Sequence, residues 1–309
     1  MASTVIRPGD MARPGGDPPV LLCPSRESIF ADRARRFAEL AADPSLAALS
    51  AWLDFLGRLT AAQDAALQSF PAVPLPAAEA LELAGRHGMP PLAAAGWPRH
   101  PAWRQALSVI LERVAGDAVP DPVQATVERL RQLPVARLEG LATQVLEHRL
   151  TSPDERAAAP FVGAALQVYW THLAAELPAA DCGRPDDKRL CPVCGSLPNG
   201  SILRIGGDSS GLRYLHCSLC NSQWNRTRAA CTQCETAAAV DYRSVDGHFP
   251  AVVAETCDGC HAYLKLFNQE KDQRVDPVAD DLASLALDVL VDAAGYQRAG
   301  PNLLMVPGE

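Results

Sequence analysis

Between Ser25 and Leu177 the apolar positions recur every three to four residues, the period of an amphipathic helix. Phe30, Phe37 and Leu40 share one face of a first helix, which Ser25-Arg26-Glu27-Ser28 can cap. Asp43-Pro44 has the form of an N-cap followed by proline at the first helical position. The leucines at Leu46, Leu49, Leu53, Leu56, Leu59 and Leu67 then predict a second, long helix. Phe70 to Pro76 carries three prolines and reads as a connector. Further helical patterns cover 77–87, 101–115, 122–132, 134–149 and 154–177, punctuated by Pro90, Pro91, Pro98, Pro120 and Pro122. This is the pattern of an all-helical domain with short connections. It holds no catalytic motif. His87, His100, His148 and His172 lack metal-site spacing and read as structural, and Trp97 and Trp103 read as packing residues.

Near Pro178 the periodicity stops. Asp181 to Asp187 is polar and turn-rich, a natural domain boundary. The helical pattern returns only at the end of the chain. There Asp276 can cap, Pro277 sits at the first position, and Val278, Leu282, Leu285 and Val289 form an apolar stripe that Gly295 can stop. Asp280 and Asp281 suit the positive end of that helix. With Asp276 they are also candidates for an acidic face that meets a partner. The expected organisation is therefore a flexible tail at 1–24, a helical domain at 25–180, a linker at 181–190, two small modules at 191–230 and 231–275, and a C-terminal helix and tail at 276–309.

Composition changes this picture at one point. The 309 residues are 48% hydrophobic and 21% charged with a net charge of −8, which is globular and excludes wholesale disorder. The acidic balance argues against a general nucleic-acid binder. No apolar run is long enough to span a membrane, because 161–177 is interrupted by Gln167, His172 and Glu176. The N-terminus has no signal-peptide pattern, so a cytoplasmic location is expected. The anomaly is cysteine: of ten in the chain, eight lie between Cys191 and Cys260.

Those eight form four Cys-x-x-Cys pairs: Cys191/Cys194, Cys217/Cys220, Cys231/Cys234 and Cys257/Cys260. In each half 22 residues separate the pairs, and every cysteine of the first half recurs 40 positions later. Gly207 and Gly247 obey the same shift, so the region is an internal repeat. A Cys-x-x-Cys turn puts two sulfurs on one side of a tight loop, and two such loops supply a tetrahedron. Two four-cysteine sites follow, paired sequentially as the simpler arrangement, with interleaved pairing as the alternative. The expected fold class is thus multidomain, an α domain followed by small metal-bound β modules. A ribbon of this size cannot bury enough apolar surface to fold alone. Structural zinc adds roughly 10–16 kcal/mol in small peptides, so the apo ribbons are expected to be largely unfolded. His216 and His261 adjoin ligand cysteines and are candidates to support them. Cys23 and Cys182 fall outside the pattern. Spacing alone does not decide between zinc and iron.

Charge also divides the modules. Residues 188–230 hold six bases against one acid, and 231–275 hold four bases against seven acids. The basic half, with Tyr214 and Trp224, is the one feature that could serve a zinc-ribbon nucleic-acid binder. A rubredoxin-like electron-transfer protein is the other rival.

Leu190-Cys-Pro-Val-Cys-Gly-Ser196, Gly211-Leu-Arg-Tyr-Leu-His-Cys-Ser-Leu-Cys220 with Trp224, and Glu255-Thr-Cys-Asp-Gly-Cys-His-Ala-Tyr-Leu-Lys265 together resemble the formate dehydrogenase accessory protein family (FdhE type). So does Gln269-Glu-Lys-Asp272 running into Val275-Asp-Pro-Val-Ala-Asp-Asp-Leu-Ala-Ser-Leu-Ala-Leu-Asp288. The similarity is strongest over about 190–296. The resemblance implies a non-enzymatic cytoplasmic maturation factor that binds the catalytic subunit of a respiratory formate dehydrogenase. It also implies two rubredoxin-like modules, with iron favoured over zinc and the eight cysteines as ligands. One departure is His261, where many such knuckles carry glycine to permit positive φ.

Overall fold

Alanine and leucine give the first half its helical propensity, and the leucine spacing gives each helix an apolar face. The computed structural model describes residues 19–96, 98–115, 119–228 and 230–305. Its first seven helices are α1 (Ile29–Ala41), α2 (Ser50–Gln68), α3 (Ala78–Arg86), α4 (Ala102–Val114), α5 (Asp121–Gln132), α6 (Val135–Leu146) and α7 (Pro153–Glu176). The axis of the domain is α7. A capping box between Ser152 and Glu155 starts it, and every residue from Ala158 to Ala174 is buried. A helix covered on all sides belongs at the centre of a core. Around it lie Phe30, Phe37, Leu53, Leu56, Trp103 and Ile110. Trp97 lies outside the described residues.

Asp43 caps less than its sequence suggests. Its carboxylate accepts from the Ser45 amide at 2.8 Å, but the helix it starts is a single 3-10 turn, Pro44–Leu46. That turn carries Leu46 into the core, and α2 begins only at Ser50, whose hydroxyl donates to the Ala41 carbonyl at 2.6 Å.

The strands form one sheet, drawn almost wholly from the second half of the chain. Its strands are β1 (Leu21–Leu22), β2 (Pro198–Leu203), β3 (Arg213–Cys217), β4 (Gln223–Arg226), β5 (Val240–Arg243), β6 (Val252–Cys257), β7 (Ala262–Asn268) and β8 (Gln297–Arg298). Their order is β1-β4-β3-β2-β7-β6-β5, with β8 also paired to β7. The 40-residue shift maps the antiparallel unit β2-β3-β4 onto β5-β6-β7. The two units join through a parallel β2–β7 pair, Ser201 opposite Leu266 and Ile202 opposite Phe267. Gly200 makes this approach possible, because a Cβ there would stand 2.4 Å from the Phe267 ring. A buried ion pair, Arg213 Nη2 to Glu255 Oε2 at 2.5 Å, ties the same two units from β3 to β6.

Two expectations change here. Of the flexible tail expected at 1–24, residues 1–18 lie outside the described residues, but Leu21–Leu22 pair with Trp224 and Gln223 on the edge of the sheet. The Tyr214 hydroxyl donates to the Pro19 carbonyl at 2.8 Å. An edge strand has backbone groups to satisfy, and this segment covers β4. The C-terminal helix is also broken, into α8 (Ala279–Ala283) and α9 (Leu285–Ala293). At the break, Lys265 Nζ of β7 donates to the carbonyls of Asp281 (2.9 Å) and Ser284 (3.1 Å). After the break the buried hydrophobic positions of α9 are Leu287 and Val291, and Val289 is exposed.

Asp276, Asp280 and Asp281 do not form an exposed acidic face. Asp276 does cap, accepting from the amides of Val278 and Ala279 at 2.8 Å each. All three carboxylates then turn inward to cations. Asp276 pairs with Arg33 at 3.0 Å and Asp280 with Arg36 at 2.6 Å, both on α1. Asp281 pairs with Lys265 at 3.1 Å and Arg298 at 2.5 Å. Burial acts to raise the pKa of Asp276 and Asp281, but Arg33 on the first and Arg298 with Lys265 on the second hold both carboxyls below the ordinary carboxylate range. Helix-dipole reasoning placed these acids near a helix start but carried no information about cations far away in the chain. These pairs fasten α8 between α1 and the sheet. Replacing Asp281 with alanine leaves Lys265 and Arg298 to share Asp288 alone, and the loss of the charge-assisted hydrogen bonds to Asp281 is expected to cost about 1.5–3 kcal/mol. Urea denaturation of the metal-loaded chain measures it, and an unchanged midpoint would show that this clamp adds no stability.

Candidate metal centres

Each knuckle is built by the backbone before any metal is considered. In the first, the Cys191 amide donates to the Ser196 carbonyl at 3.0 Å and the Gly195 amide to the Cys191 carbonyl at 2.8 Å. The equivalent bonds at Cys231 are 2.8 Å to Thr236 and 3.0 Å from Glu235. These bonds require the residue after the second cysteine to take positive φ. It is Gly195 (74°), Asn221 (59°), Glu235 (60°) and His261 (53°) in the four knuckles. Amide hydrogens also point at sulfur, from Val193 to Cys191, Leu219 to Cys217 and Gln233 to Cys231, at 3.3–3.4 Å.

The pairs come together sequentially. Cys191, Cys194, Cys217 and Cys220 form an inner centre, and Cys231, Cys234, Cys257 and Cys260 an outer one, with all sulfurs in each within 4.8 Å of one another. The closest sulfurs are 3.4 and 3.6 Å apart in the inner centre and 3.7 Å in the outer. A tetrahedral ion with bonds of about 2.3 Å separates its sulfurs by about 3.8 Å, so the cradle matches zinc or iron in size. The chemistry of the donor set agrees. Burial pushes the Cys191 and Cys220 thiols well above their ordinary range, while hydrogen bonds from Cys191 and its neighbours pull Cys194 down against its own burial. Four thiolates cannot share that dry site without a cation, and a bound cation deprotonates them.

The two centres differ in what covers them. All four inner sulfurs belong to residues with no exposure. Leu92 and Ala94 donate backbone hydrogen bonds to the carbonyls of Val193 (3.0 Å) and Cys194 (2.8 Å). From α7, Gln167 donates to the Ser218 carbonyl and Thr171 accepts from Asn221, each at 2.8 Å. Arg33 of α1 donates to the side-chain oxygen of Asn221 at 3.0 Å. The helical domain thus closes the inner centre. In the outer centre Cys231 and Cys257 are buried, Cys260 is half-buried and Cys234 is exposed.

His216 and His261 have different settings. His216 is buried, and its Nδ1 lies 2.8 Å from Asn199 Oδ1. The Asn199 amide nitrogen donates to the Pro277 carbonyl, so its oxygen accepts from His216. Burial, with Arg33 adding to it, lowers the His216 pKa to about 3. It is a neutral prop between the first ribbon and α8. His261 is exposed, its ring 5.9 Å from that of Tyr296. Neither belongs to a cluster of four sulfurs. Cys23 and Cys182 also stand outside both clusters, but Cys220 lies near enough to raise the pKa of each. Burial is the larger cause in both, and it takes Cys182 to about 12.

Several cations of the basic half are engaged by acids, while Arg228 is exposed. Arg213 is buried on Glu255, Lys188 and Arg226 both meet Glu235, and Arg189 meets Asp187. Tyr214 and Trp224 are buried and cannot stack on bases. Among the described residues, no helix is long and apolar enough to cross a membrane.

With this geometry in place, comparison with known proteins is direct. Three family models match in succession: "FdhE, N-terminal" over 18–185, "FdhE, central domain" over 190–228 and "FdhE, C-terminal domain" over 229–305. The chain belongs to the FdhE family. An FdhE homologue of Yersinia pestis (strain Pestoides F) is 40% identical over 295 residues, covering 95% of this chain and 93% of the relative. One from Yersinia enterocolitica is 39% identical over the same length. The crystal structure of the FdhE protein from Pseudomonas aeruginosa matches with a TM-score of 0.84 and 37% identity, over 94% of this chain and all of that one. The FdhE domains divide the repeat where the first ribbon ends, so the inner centre falls in the central domain and the outer in the C-terminal domain.

Sequence reasoning did not find Asn221, Gln167, Thr171 or Arg33, because their partners are distant in the chain. Asn221 alone carried a signal, as asparagine tolerates positive φ. The same rule gives a test at the one knuckle position already marked as a departure. Relieving the left-handed backbone with His261→Gly is expected to stabilise the metal-loaded chain by about 1 kcal/mol and to leave its metal content unchanged. Thermal melting and elemental analysis check this; a lost metal would show that the imidazole supports the outer centre.

Proposed function

We propose that this FdhE-family chain is a non-enzymatic accessory factor that binds the catalytic subunit of a formate dehydrogenase in the cytoplasm and assists its assembly into active enzyme before export. The reading is supported by membership of the FdhE family and by the two four-cysteine centres, one of which is closed over by the helical domain. The charged groups around the centres are taken up in structural pairs such as Arg213–Glu255 and Arg33–Asp276. That suits a rigid scaffold, which holds a client rather than transforms a substrate.

Iron is the favoured metal, on the family resemblance, and zinc the alternative, since both accept four thiolates in a tetrahedron. When bound, the ion supplies the charge that lets each ribbon fold. The exposure of Cys234 also favours a second reading, rubredoxin-like electron transfer, which requires iron and reversible one-electron chemistry with a partner.

The test is capture of the catalytic subunit by the immobilised full chain, with metal content measured on the same sample. The wild-type chain is expected to hold two ions and to retain the subunit. Cys194→Ser is expected to lose one ion and the subunit together. Wild-type chain that holds its metals but does not retain the subunit would overturn the reading. Subunit retained after loss of the inner ion would show that client binding does not depend on that centre.

A further inference from the structure

The repeat places two chemically identical centres in one molecule, and the fold treats them differently. The inner centre is covered by the 89–94 segment, α1 and α7, through hydrogen bonds to the carbonyls of Val193, Cys194 and Ser218 and to the Asn221 side chain. The outer centre is held from its protein side only. Arg213 donates to Thr232 Oγ1 in the first outer knuckle at 2.8 Å, the Asp258 amide donates to the Ala239 carbonyl at 2.9 Å, and Gln297 donates to the His261 carbonyl at 2.7 Å. These contacts anchor Cys231 and Cys257, which are buried. Cys234 is exposed, and the next residue, Glu235, pairs with Lys188 and with the half-buried Arg226 of the first ribbon. Cys260 is half-buried, next to exposed His261.

We infer that the outer centre exchanges a ligand with thiols in solution or on a partner, through Cys234, while the inner centre is a permanent structural one. This rests on the metal-binding reading above and deepens it. The chemistry needs no oxidant. With an ion bound, an entering thiol would give up its proton and take the place of Cys234, which would take up a proton in turn, so that charge and electron count would balance. Cys231, Cys257 and Cys260 would hold the ion meanwhile, and a partner's cysteine could be held at the outer centre without unfolding the ribbon. The same step at the inner centre requires the helical domain to move off first, because no inner sulfur faces water.

The experiment uses the full chain loaded with two zinc ions, a chromophoric chelator, and glutathione as the thiol. Release is expected in two phases of one ion each, the first at least about tenfold faster, since the second needs local opening of a packed region. Glutathione should accelerate only the first phase. At its end, N-ethylmaleimide followed by peptide mass mapping should label Cys231, Cys234, Cys257 and Cys260 and spare the inner four. Cys234→Ser should abolish the glutathione dependence while the slow ion remains. Release of both ions in one phase, or labelling of the inner cysteines first, overturns the assignment of roles. A chain that takes up no metal overturns the metal-binding reading itself, and is told apart by elemental analysis before the chelator is added.

Discussion

Thiolates packed within a few ångströms and sealed from water repel one another unless a cation sits among them. The inner centre imposes that constraint at the junction of the molecule. Its four cysteines come from two knuckles, one clasped by the 89–94 segment and the other by α7 and α1. When the cation is bound, these knuckles fix where the first ribbon sits on the helical domain. The ribbon then offers the β2 edge to β7, and β7 carries Lys265 into α8. Helical domain, sheet and C-terminal helices therefore meet along one path of contacts that starts at four sulfurs.

Buried ion pairs run along the same path, and energy alone is a weak account of them. An apolar replacement of similar shape often stabilises a protein as well as a buried ion pair does. Their effect here is to fix registration. Arg213 and Glu255 match β3 to β6 across the two units, and Arg33, Arg36, Lys265 and Arg298 each select an aspartate of the 276–281 segment or the next turn. A sheet joined by only three residue pairs between β2 and β7 has little else to hold its register.

Much of this was legible in the sequence, for definite reasons. The leucine spacing of α2, the prolines between helices and the 40-residue recurrence of cysteine are local or periodic signals, and each corresponds to an observed element. The sequential grouping of the four cysteines of each half into one centre is the simpler arrangement that the repeat suggested, and it is the one observed. The missing parts are those set by distant residues. Asp280 and Asp281 look like exposed helix-start acids until Arg36 and Arg298 are seen beside them. The break at Ser284 depends on Lys265 from another strand. The merging of two ribbons into one sheet depends on Gly200, a residue with no side chain to advertise it.

The repeat also makes the molecule its own control. Both units share knuckle geometry, sulfur spacing and the positive-φ position after the second cysteine. The difference in exposure therefore cannot come from the ribbons themselves. It comes from what occurs only once: the 89–94 segment, Gln167, Thr171 and Arg33 serve the inner knuckles and have no counterpart at the outer ones among the described residues. One copy of a metal-binding ribbon became part of a larger core, and the other kept a face to water. Selection for stability alone would favour covering both, since a closed tetrahedral site is the usual structural arrangement. An uncovered Cys234 is the feature that stability does not explain, which is why contact with something outside the chain is the more economical account of the outer centre.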